Sequence, residues 1–184
     1  MLAELVLPRE LTDEELAQRC MRGDRLAFNE LARRHQQRMY SICRRITCDE
    51  QDAKDALQEA LIAAWRHVRN FEGRAHIGTW LYRVATNAAI DEVRRKARRP
   101  APSGDMAPRR TDSSAVEDTV SDRMAVDWAM AKLPPQFRAA IVLREYCGLS
   151  YRTIAEVRDI PIDTVKSQIS RGRQALVELL KLSQ

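Results

Sequence analysis

The chain has 184 residues, 45% of them hydrophobic and 31% charged, which is enough apolar material for one medium domain or two small ones. Its formal net charge of +5 favours an anionic partner such as nucleic acid, an acidic protein face or a membrane surface. No apolar run approaches the roughly 20 residues of a membrane-spanning helix, and the first 15 residues lack the pattern of a secretory signal. We therefore expect a soluble, cytoplasmic protein without direct membrane insertion.

The N-terminal half shows helical periodicity and no strand-like alternation. Four helices are predicted: a short one opened by the capping-box residues Thr12–Glu15, a long one over Leu26–Ile46, a third capped by Asp49 and running to about Phe71, and a fourth from near Ile77 into the RRKARRP run. The expected fold class is therefore all-α.

A change of composition follows these helices. The stretch RPAPSGDMAPRRTDSS is rich in proline and small polar residues and has almost no large apolar residue, which is typical of a linker. The predicted organisation is a first helical domain over residues 1–97, a flexible linker over 98–117 and a second helical domain over 118–184. A tether of this length reaches about 60 Å when extended.

The second domain has the local signals of a helix-turn-helix. Pro135 suits a helix start and Gly148 a helix stop. The remaining signals are Ser150 as N-cap of a helix over Tyr151–Arg158, a turn at Asp159 and Ile160, and Pro161 in the first turn of a last helix.

The last helix is predicted to be two-faced. Val165, Ile169, Gly172 and Leu176 share one side, which can pack on Leu143, Ile154 and Ala155. The other side carries small hydroxyls and cations, which suit entry into the major groove. This recognition arc comprises Thr164, Lys166, Ser167, Ser170 and Arg171. An ordinary amphipathic surface helix is the alternative.

The third predicted helix carries an acidic face opposite its apolar stripe. The acidic face comprises Asp52, Asp55, Gln58, Glu59 and Ile62. Carboxylates around one aliphatic side chain suit docking on a basic helical partner, because charge steers the encounter and the apolar residue is desolvated. A simply solvated charged face is the alternative.

The fourth predicted helix combines aromatic, amide and arginine side chains along one side, and Phe71 is nearby in the preceding segment. This aromatic–basic platform comprises Phe71, Trp80, Arg83, Asn87 and Arg94. Aromatic rings can stack on unpaired bases while arginines hold phosphates, so the pattern favours single-stranded nucleic acid. Alternatively, the aromatic residues are core and the arginines are solvated.

No catalytic or metal centre is indicated by the sequence. Cys20, Cys43, Cys48 and Cys147 form no CxxC pair, and no histidine stands beside them at zinc-ligand spacing. There is no glycine-rich nucleotide loop and no nucleophile–base pattern. We expect reduced thiols, no cofactor and no enzymatic activity.

Taken together, four segments of the chain resemble bacterial RNA polymerase sigma factors of the extracytoplasmic-function (ECF, group four) subfamily. They are DAKDALQEALIAAW, GTWLYRVATNAAIDEVRR, LPPQFRAAIVLREYCGLSYRTIAEV and IPIDTVKSQISRGRQAL, in family order. The resemblance implies a region-two domain, a linker and a region-four domain. It implies core RNA polymerase, promoter DNA and an anti-sigma factor as partners.

The resemblance also implies roles for single residues. Within the acidic face, Asp55, Gln58 and Glu59 would dock on the coiled coil of the largest polymerase subunit, and region four would meet the flap. The loop from Phe71 to Thr79, with Asn87, would capture a flipped base of the −10 element. Trp80, Arg83 and Arg94 would support the melted strand, and the recognition arc would meet the −35 duplex.

This sequence departs from the common family pattern at Asp159, Asp163 and Gln168 and in the loop EGRAHIG. Two other interpretations stay open from the residues alone. One is a stand-alone helix-turn-helix repressor or activator, and the other is a helical adaptor that binds acidic proteins.

Overall fold

A computed structural model describes residues 10–73, 75–98 and 117–182, with side chains from residue 124 onward in the last range. The N-terminal unit consists of α1 (Asp13–Met21), α2 (Arg25–Thr47), α3 (Glu50–His67) and α4 (Ile77–Arg98). The C-terminal unit consists of α5 (Glu117–Lys132), α6 (Pro135–Ile141), α7 (Tyr151–Arg158) and α8 (Ile162–Leu182). No strand occurs within the described ranges, so the predicted all-α class is confirmed.

Short polar side chains begin the N-terminal helices. Thr12 and Glu15 form the predicted capping box, in which each side chain bonds the backbone N–H of the other residue. Asp24 accepts from the backbone N–H groups of Leu26 and Ala27. Asp49 accepts from the N–H of Asp52 at 2.9 Å, as predicted for the start of α3.

The N-terminal unit packs α2, α3 and α4 around one apolar cluster. The buried positions of α3 are all alanine, namely Ala53, Ala56, Ala60 and Ala64. Bulky side chains from the neighbouring helices fill the space, including Leu31, Met39 and Ile42 of α2 and Leu81 of α4. The small side chains of α3 therefore let the adjacent helices approach closely.

The end of the third helix differs from the prediction. The α-helix stops at His67, and a 3-10 turn over Val68–Asn70 leads into Phe71, whose backbone is extended. The Phe71 side chain is only 9% exposed. Its burial against Trp80 requires the chain to leave the helix earlier than the apolar periodicity indicates.

The C-terminal unit contains the predicted helix-turn-helix. Gly148 has a φ of +70° and Ser150 caps α7 by accepting from the N–H of Thr153. Asp159 adopts the left-handed conformation with φ 52°, which aspartate tolerates better than most residues. Pro161 precedes α8 instead of lying in its first turn, so that prediction was wrong by one residue.

A small apolar cluster holds the C-terminal helices together. Ala140, Leu143, Ile154, Val157, Val165 and Ile169 are buried in it. Gly172 of α8 faces α6 so closely that a Cβ there would lie 2.7 Å from Cδ1 of Ile141. The glycine thus allows α6 and α8 to pack at short range. The predicted linker, apart from residues 98 and 117, lies outside the described residues.

Candidate nucleic-acid and protein interfaces

The outward side of α8 presents the recognition arc. Lys166, Ser170 and Arg171 are exposed, and Thr164 and Ser167 are half-buried. Lys166 Nζ lies 3.0 Å from an oxygen of Asp163, in a pair that faces solvent on both sides. Exposed pairs of this kind contribute little, so Lys166 can exchange this partner for a phosphate. The arc extends over about 10 Å of helix.

A half-buried arginine fixes α8 against α7. Arg158, at the end of α7, donates to the side-chain oxygen of Gln168 at 2.6 Å and to the carbonyl of Gln136 at 2.9 Å. Burial lowers the pKa of Arg158, and the nearby Arg94 of α4 contributes to the same shift. Sequence reasoning missed Arg158, because an arginine at a helix end has the pattern of a surface residue.

The aromatic–basic platform lies along α4 and the loop before it. Arg83, Asn87 and Arg94 are exposed, and Trp80 is half-buried. The rings of Phe71 and Trp80 are tilted, with centroids 5.7 Å apart. In this arrangement Phe71 supports Trp80 from beneath, while Trp80 and the polar residues reach the surface.

Two clefts adjoin the loop between α3 and α4. One, of about 650 Å³, lies between α1 and the loop and is lined by Gln18, Met21, Phe71 and His76. His76 Nδ1 lies 3.2 Å from a carboxylate oxygen of Glu14 on α1. The sequence contained no signal for this α1 wall, since the two segments are 62 residues apart.

The second cleft has a volume of about 570 Å³ and lies between the two units. Trp80 and Arg83 form one wall, and Glu156 and Val157 of α7 form the other. The platform is therefore bounded by the C-terminal unit.

Part of the acidic face is engaged in contacts within the protein. Asp52 accepts from Lys96 Nζ of α4 at 2.7 Å and is 14% exposed, and this bond raises the pKa of Lys96. Asp55 accepts from the Gln51 amide at 3.0 Å. Gln58 and Glu59 are exposed, and Ile62 is 37% exposed. Asp52 lies at the edge of the face, and the other four residues of the face remain turned away from the α2 and α4 packing.

Within the described ranges, no three histidine, cysteine or acidic side chains are grouped so as to hold a metal ion. Cys20 and Cys43 are buried, and burial raises their thiol pKa values to about 11 and about 12. None of the helices described here is both long and apolar enough to cross a bilayer.

Two family models match the chain, one for each unit. The model for Sigma-70 region 2 matches residues 31–99. The model for Sigma-70 region 4 matches residues 123–176. A stand-alone helix-turn-helix regulator would account for the second match but not for the first.

Curated relatives align over most of their length. The RNA polymerase sigma-H factor of Pseudomonas aeruginosa is 36% identical, covering 92% of this chain and 94% of the relative. The ECF sigma-E factor of Escherichia coli K12 is also 36% identical, over 92% and 95%. The ECF sigma factor SigM of Mycobacterium tuberculosis is 36% identical, over 93% and 86%.

Solved structures have the same fold. CnrH, solved in complex with the cytosolic domain of CnrY, superposes with a TM-score of 0.69 at 26% identity, covering 94% of this chain and 99% of CnrH. The sigma factor RpoE of Bartonella quintana, solved with the anti-sigma factor NepR, gives 0.63 at 24% identity, over 85% and 98%. The chain belongs to the ECF RNA polymerase sigma factors, with regions 2 and 4 of the sigma-70 family, and is a transcription initiation factor that directs RNA polymerase to promoters.

Proposed function

We propose that separate surfaces of this sigma factor divide the work of initiation. The acidic face binds core polymerase, the platform captures the −10 element and the recognition arc reads the −35 duplex. The observation that supports this division is that the exposed residues of each surface lie on a different helix, α3, α4 or α8. The polymerase performs the chemistry, and the sigma factor acts with it in the cytoplasm. In this proposal residues 1–97 and 118–184 are the two working domains.

Docking on the coiled coil of the largest polymerase subunit is assigned to Asp55, Gln58, Glu59 and Ile62. The carboxylates steer the encounter, and Ile62 provides apolar area that is buried on binding. Asp52 contributes less to docking in this proposal, because its carboxylate already forms a salt bridge with Lys96.

Charge reversal tests the docking proposal. The variant Asp55→Lys/Glu59→Lys should bind core polymerase at least about 100-fold more weakly, a loss of about 2.7 kcal/mol, in a pull-down titration. Glu10→Lys, which reverses an exposed charge outside α3, is the control and should bind normally. Circular dichroism checks that both variants fold. Equal binding by the double variant and the control would exclude the acidic face as the docking surface.

The −10 role is assigned to the loop from Phe71 to Thr79 together with Trp80, Arg83, Asn87 and Arg94. Flipping a base from the stack costs a few kcal/mol, which stacking on Trp80 and hydrogen bonds to Asn87 would offset. The amide is exposed and lies two turns along α4 from Trp80, which leaves room for one nucleotide between them.

Asn87→Ala tests base capture. Open-complex formation by the holoenzyme, scored by permanganate reactivity, should fall about tenfold, while binding of the closed duplex complex stays within twofold. Asn29→Ala removes an exposed amide from α2 and serves as the matched control. If strand opening and duplex binding fell equally, Asn87 would have no specific role in capture.

The −35 role is assigned to the recognition arc. Removing a lysine that contacts a phosphate weakens binding to all sequences by a similar amount. Removing an arginine that contacts a base edge costs about 1–3 kcal/mol and also relaxes the sequence preference at that base. We expect Lys166→Ala to lower affinity for all −35 duplexes by a similar factor. We expect Arg171→Ala to lower affinity mainly for the preferred −35 sequence. Lys181→Ala, at the far end of α8, should change neither. An equal loss of duplex affinity in the Lys181 variant would show that net charge alone, and not the position on α8, determines the effect.

Contact with the polymerase flap is assigned to exposed apolar side chains of the C-terminal unit. They are Met124, Val126 and Trp128 of α5 and Val177 and Leu182 of α8. Val177→Asp should reduce initiation at −35-dependent promoters about tenfold, without weakening coiled-coil docking. Leu26→Asp alters an exposed leucine of α2 instead and is the control.

An anti-sigma factor is the proposed inhibitory partner. The support is the resemblance to ECF sigma factors and the solved complex of the sigma factor RpoE of Bartonella quintana with the anti-sigma factor NepR. Such a partner should compete with core polymerase for this chain in a titration, and additive binding of both would contradict the proposal.

A further inference from the structure

The loop between α3 and α4 separates two clefts. The cleft of about 650 Å³, called the α1 cleft below, is bounded by Gln18 and Met21 of α1. Phe71 and Ala75 line both this cleft and the one beside Trp80. The loop is therefore a partition, with the platform on one side and the α1 cleft on the other.

The α1 cleft combines apolar and polar lining. Ala17, Phe71 and Ile77 are buried in its wall, and the Met21 side chain beside them is 40% exposed. The exposed polar side chains of the lining are Glu14, Gln18, Glu72 and His76. A nucleobase has apolar faces and a polar edge, so its faces would meet the apolar side chains and its edge the polar ones.

The charge of the lining favours a base over a phosphate. Among the described residues that line the α1 cleft there is no lysine or arginine, whereas Glu14 and Glu72 bring two carboxylates. On the platform, by contrast, Arg83 and Arg94 are exposed. A strand that crosses the loop would therefore keep its phosphates with the arginines and place a neutral base in the α1 cleft.

Gln18 is the side chain best placed to read the edge of such a base. Its amide is exposed and forms no hydrogen bond to any residue that the structure describes. A glutamine amide pairs with adenine, and a carboxylate accepts from the exocyclic amine of cytosine. Glu14, one turn before Gln18 on α1, supplies a carboxylate. Thymine has no exocyclic amine, so the cleft should favour adenine or cytosine over thymine.

Contacts with three other segments hold α1 in place. Glu14 Oε1 lies 3.2 Å from Nδ1 of His76 in the loop. Asp13 Oδ2 lies 2.7 Å from Nε2 of His35 on α2. The same imidazole lies so close to the start of α4 that a Cβ at Gly78 would be 3.1 Å from its Cε1 atom. The wall formed by α1 is thus fixed before a ligand arrives, which lowers the ordering cost of binding.

We propose that the α1 cleft is a second base-binding site, which takes an unpaired nucleotide next to the one captured on the platform. Gln18 determines the base preference of this site, and Met21 packs on the face of the base. The inference rests on the proposed −10 role of the platform, since both sites act on the same melted strand. The sigma factor then reads two unpaired bases, one on each side of the loop.

Selection from a random pool separates the two sites. Holoenzyme, assembled from core polymerase and the full-length chain, selects from random single strands about 12 nucleotides long. The wild type should enrich bases at two neighbouring positions. Asn87→Ala should relax one position and Gln18→Ala the other, whereas Gln37→Ala, which removes an exposed amide from α2, should relax neither. Circular dichroism checks that all variants fold.

An abasic residue tests the same site from the side of the DNA. Placed at the position assigned to the α1 cleft, it should weaken strand binding by wild-type holoenzyme about tenfold, because the stacking of one base is lost. In Gln18→Ala/Met21→Ala the same abasic residue should cost less than about twofold, since its protein contacts are already gone. Fluorescence anisotropy of a labelled strand measures both effects.

Enrichment of a single position by the wild type, or an unchanged base preference in Gln18→Ala, would overturn the second site. An equal effect of the abasic residue in the wild type and the double variant would do the same. Failure of the −10 role gives a different result, because Asn87→Ala would then keep the wild-type preference at every position.

Discussion

The N-terminal and C-terminal units bury apolar surface in different ways. The N-terminal cluster joins residues of all four helices, with alanines on α3 facing bulky side chains on α2 and α4. The C-terminal cluster has six buried residues and is supplemented by hydrogen bonds from Arg138 and Arg158 to backbone carbonyls. The larger core can therefore support the exposed charged faces of α3 and α4, whereas the smaller unit depends on polar contacts and on its neighbour.

The largest expected effect is in the alanine stripe. Ala60 is fully buried on α3, so Ala60→Leu should force α3 away from α2 and α4 and destabilise the protein by about 3 kcal/mol. Urea unfolding followed by circular dichroism measures the change. Ala97→Leu, at an exposed position of α4, should be nearly neutral. A neutral Ala60→Leu would show that the N-terminal core is loosely packed.

A smaller effect is expected at the arginine that supports the C-terminal unit. Arg138→Met keeps the side-chain length but leaves the carbonyls of Ile46, Ala131 and Leu133 without this donor, at a cost of about 2 kcal/mol. Differential scanning calorimetry should show a lower Tm for the variant. Arg152→Met alters an exposed arginine of α7 and should leave the Tm unchanged. If both variants had the same Tm, the buried hydrogen bonds of Arg138 would contribute nothing to stability.

Removing one N-cap from each unit sharpens the comparison. Ser150→Ala and Thr12→Ala should each cost about 1 kcal/mol. Only Ser150→Ala should also weaken binding to a −35 duplex, because α7 supports α8 through Arg158 and Gln168. Fluorescence anisotropy with duplex DNA separates the two variants. A similar loss of DNA binding in Thr12→Ala would contradict this division.

The smallest effect is confined to acid. Hydrogen bonds from Arg33 and Arg34 lower the pKa of Glu30 from 4.5 to about 2. Because the folded pKa lies below the unfolded one, this stabilisation is complete above pH 4.5 and is lost as the pH falls towards 2. Burial opposes ionisation of Asp13, but its bonds to Arg34 and His35 outweigh burial and lower its pKa as well.

Glu30→Gln tests the acid dependence. The variant should lose less stability than the wild type between pH 4.5 and pH 2.5, measured as urea midpoints across that range. Parallel midpoints in both proteins would exclude Glu30 as a contributor.

Local signals predicted much of the fold. Thr12, Asp49 and Ser150 were predicted as caps and are observed as caps, because a cap depends on the backbone within three residues. The apolar face of α8 was likewise predicted from spacing, and Val165, Ile169 and Gly172 are buried. The residue roles on the three functional faces stay predictions.

Long-range packing accounts for what was missed. The end of α3 at His67 follows from the burial of Phe71 against Trp80, nine residues later. Arg138 has the pattern of a surface residue, and it is buried because carbonyls from two units converge on it. Periodicity along one helix contains no information about such partners.

By itself, the sequence determined the helices, their caps, the helix-turn-helix and the charged faces, since each depends on neighbours within a few residues along the chain. Only the tertiary structure decided that Lys96 forms a salt bridge with Asp52, that the ring of Phe71 packs on that of Trp80 and that α7 borders the platform. Each of these contacts joins residues that lie on different elements of the fold. Their existence depends on how those elements pack together, which no local pattern specifies.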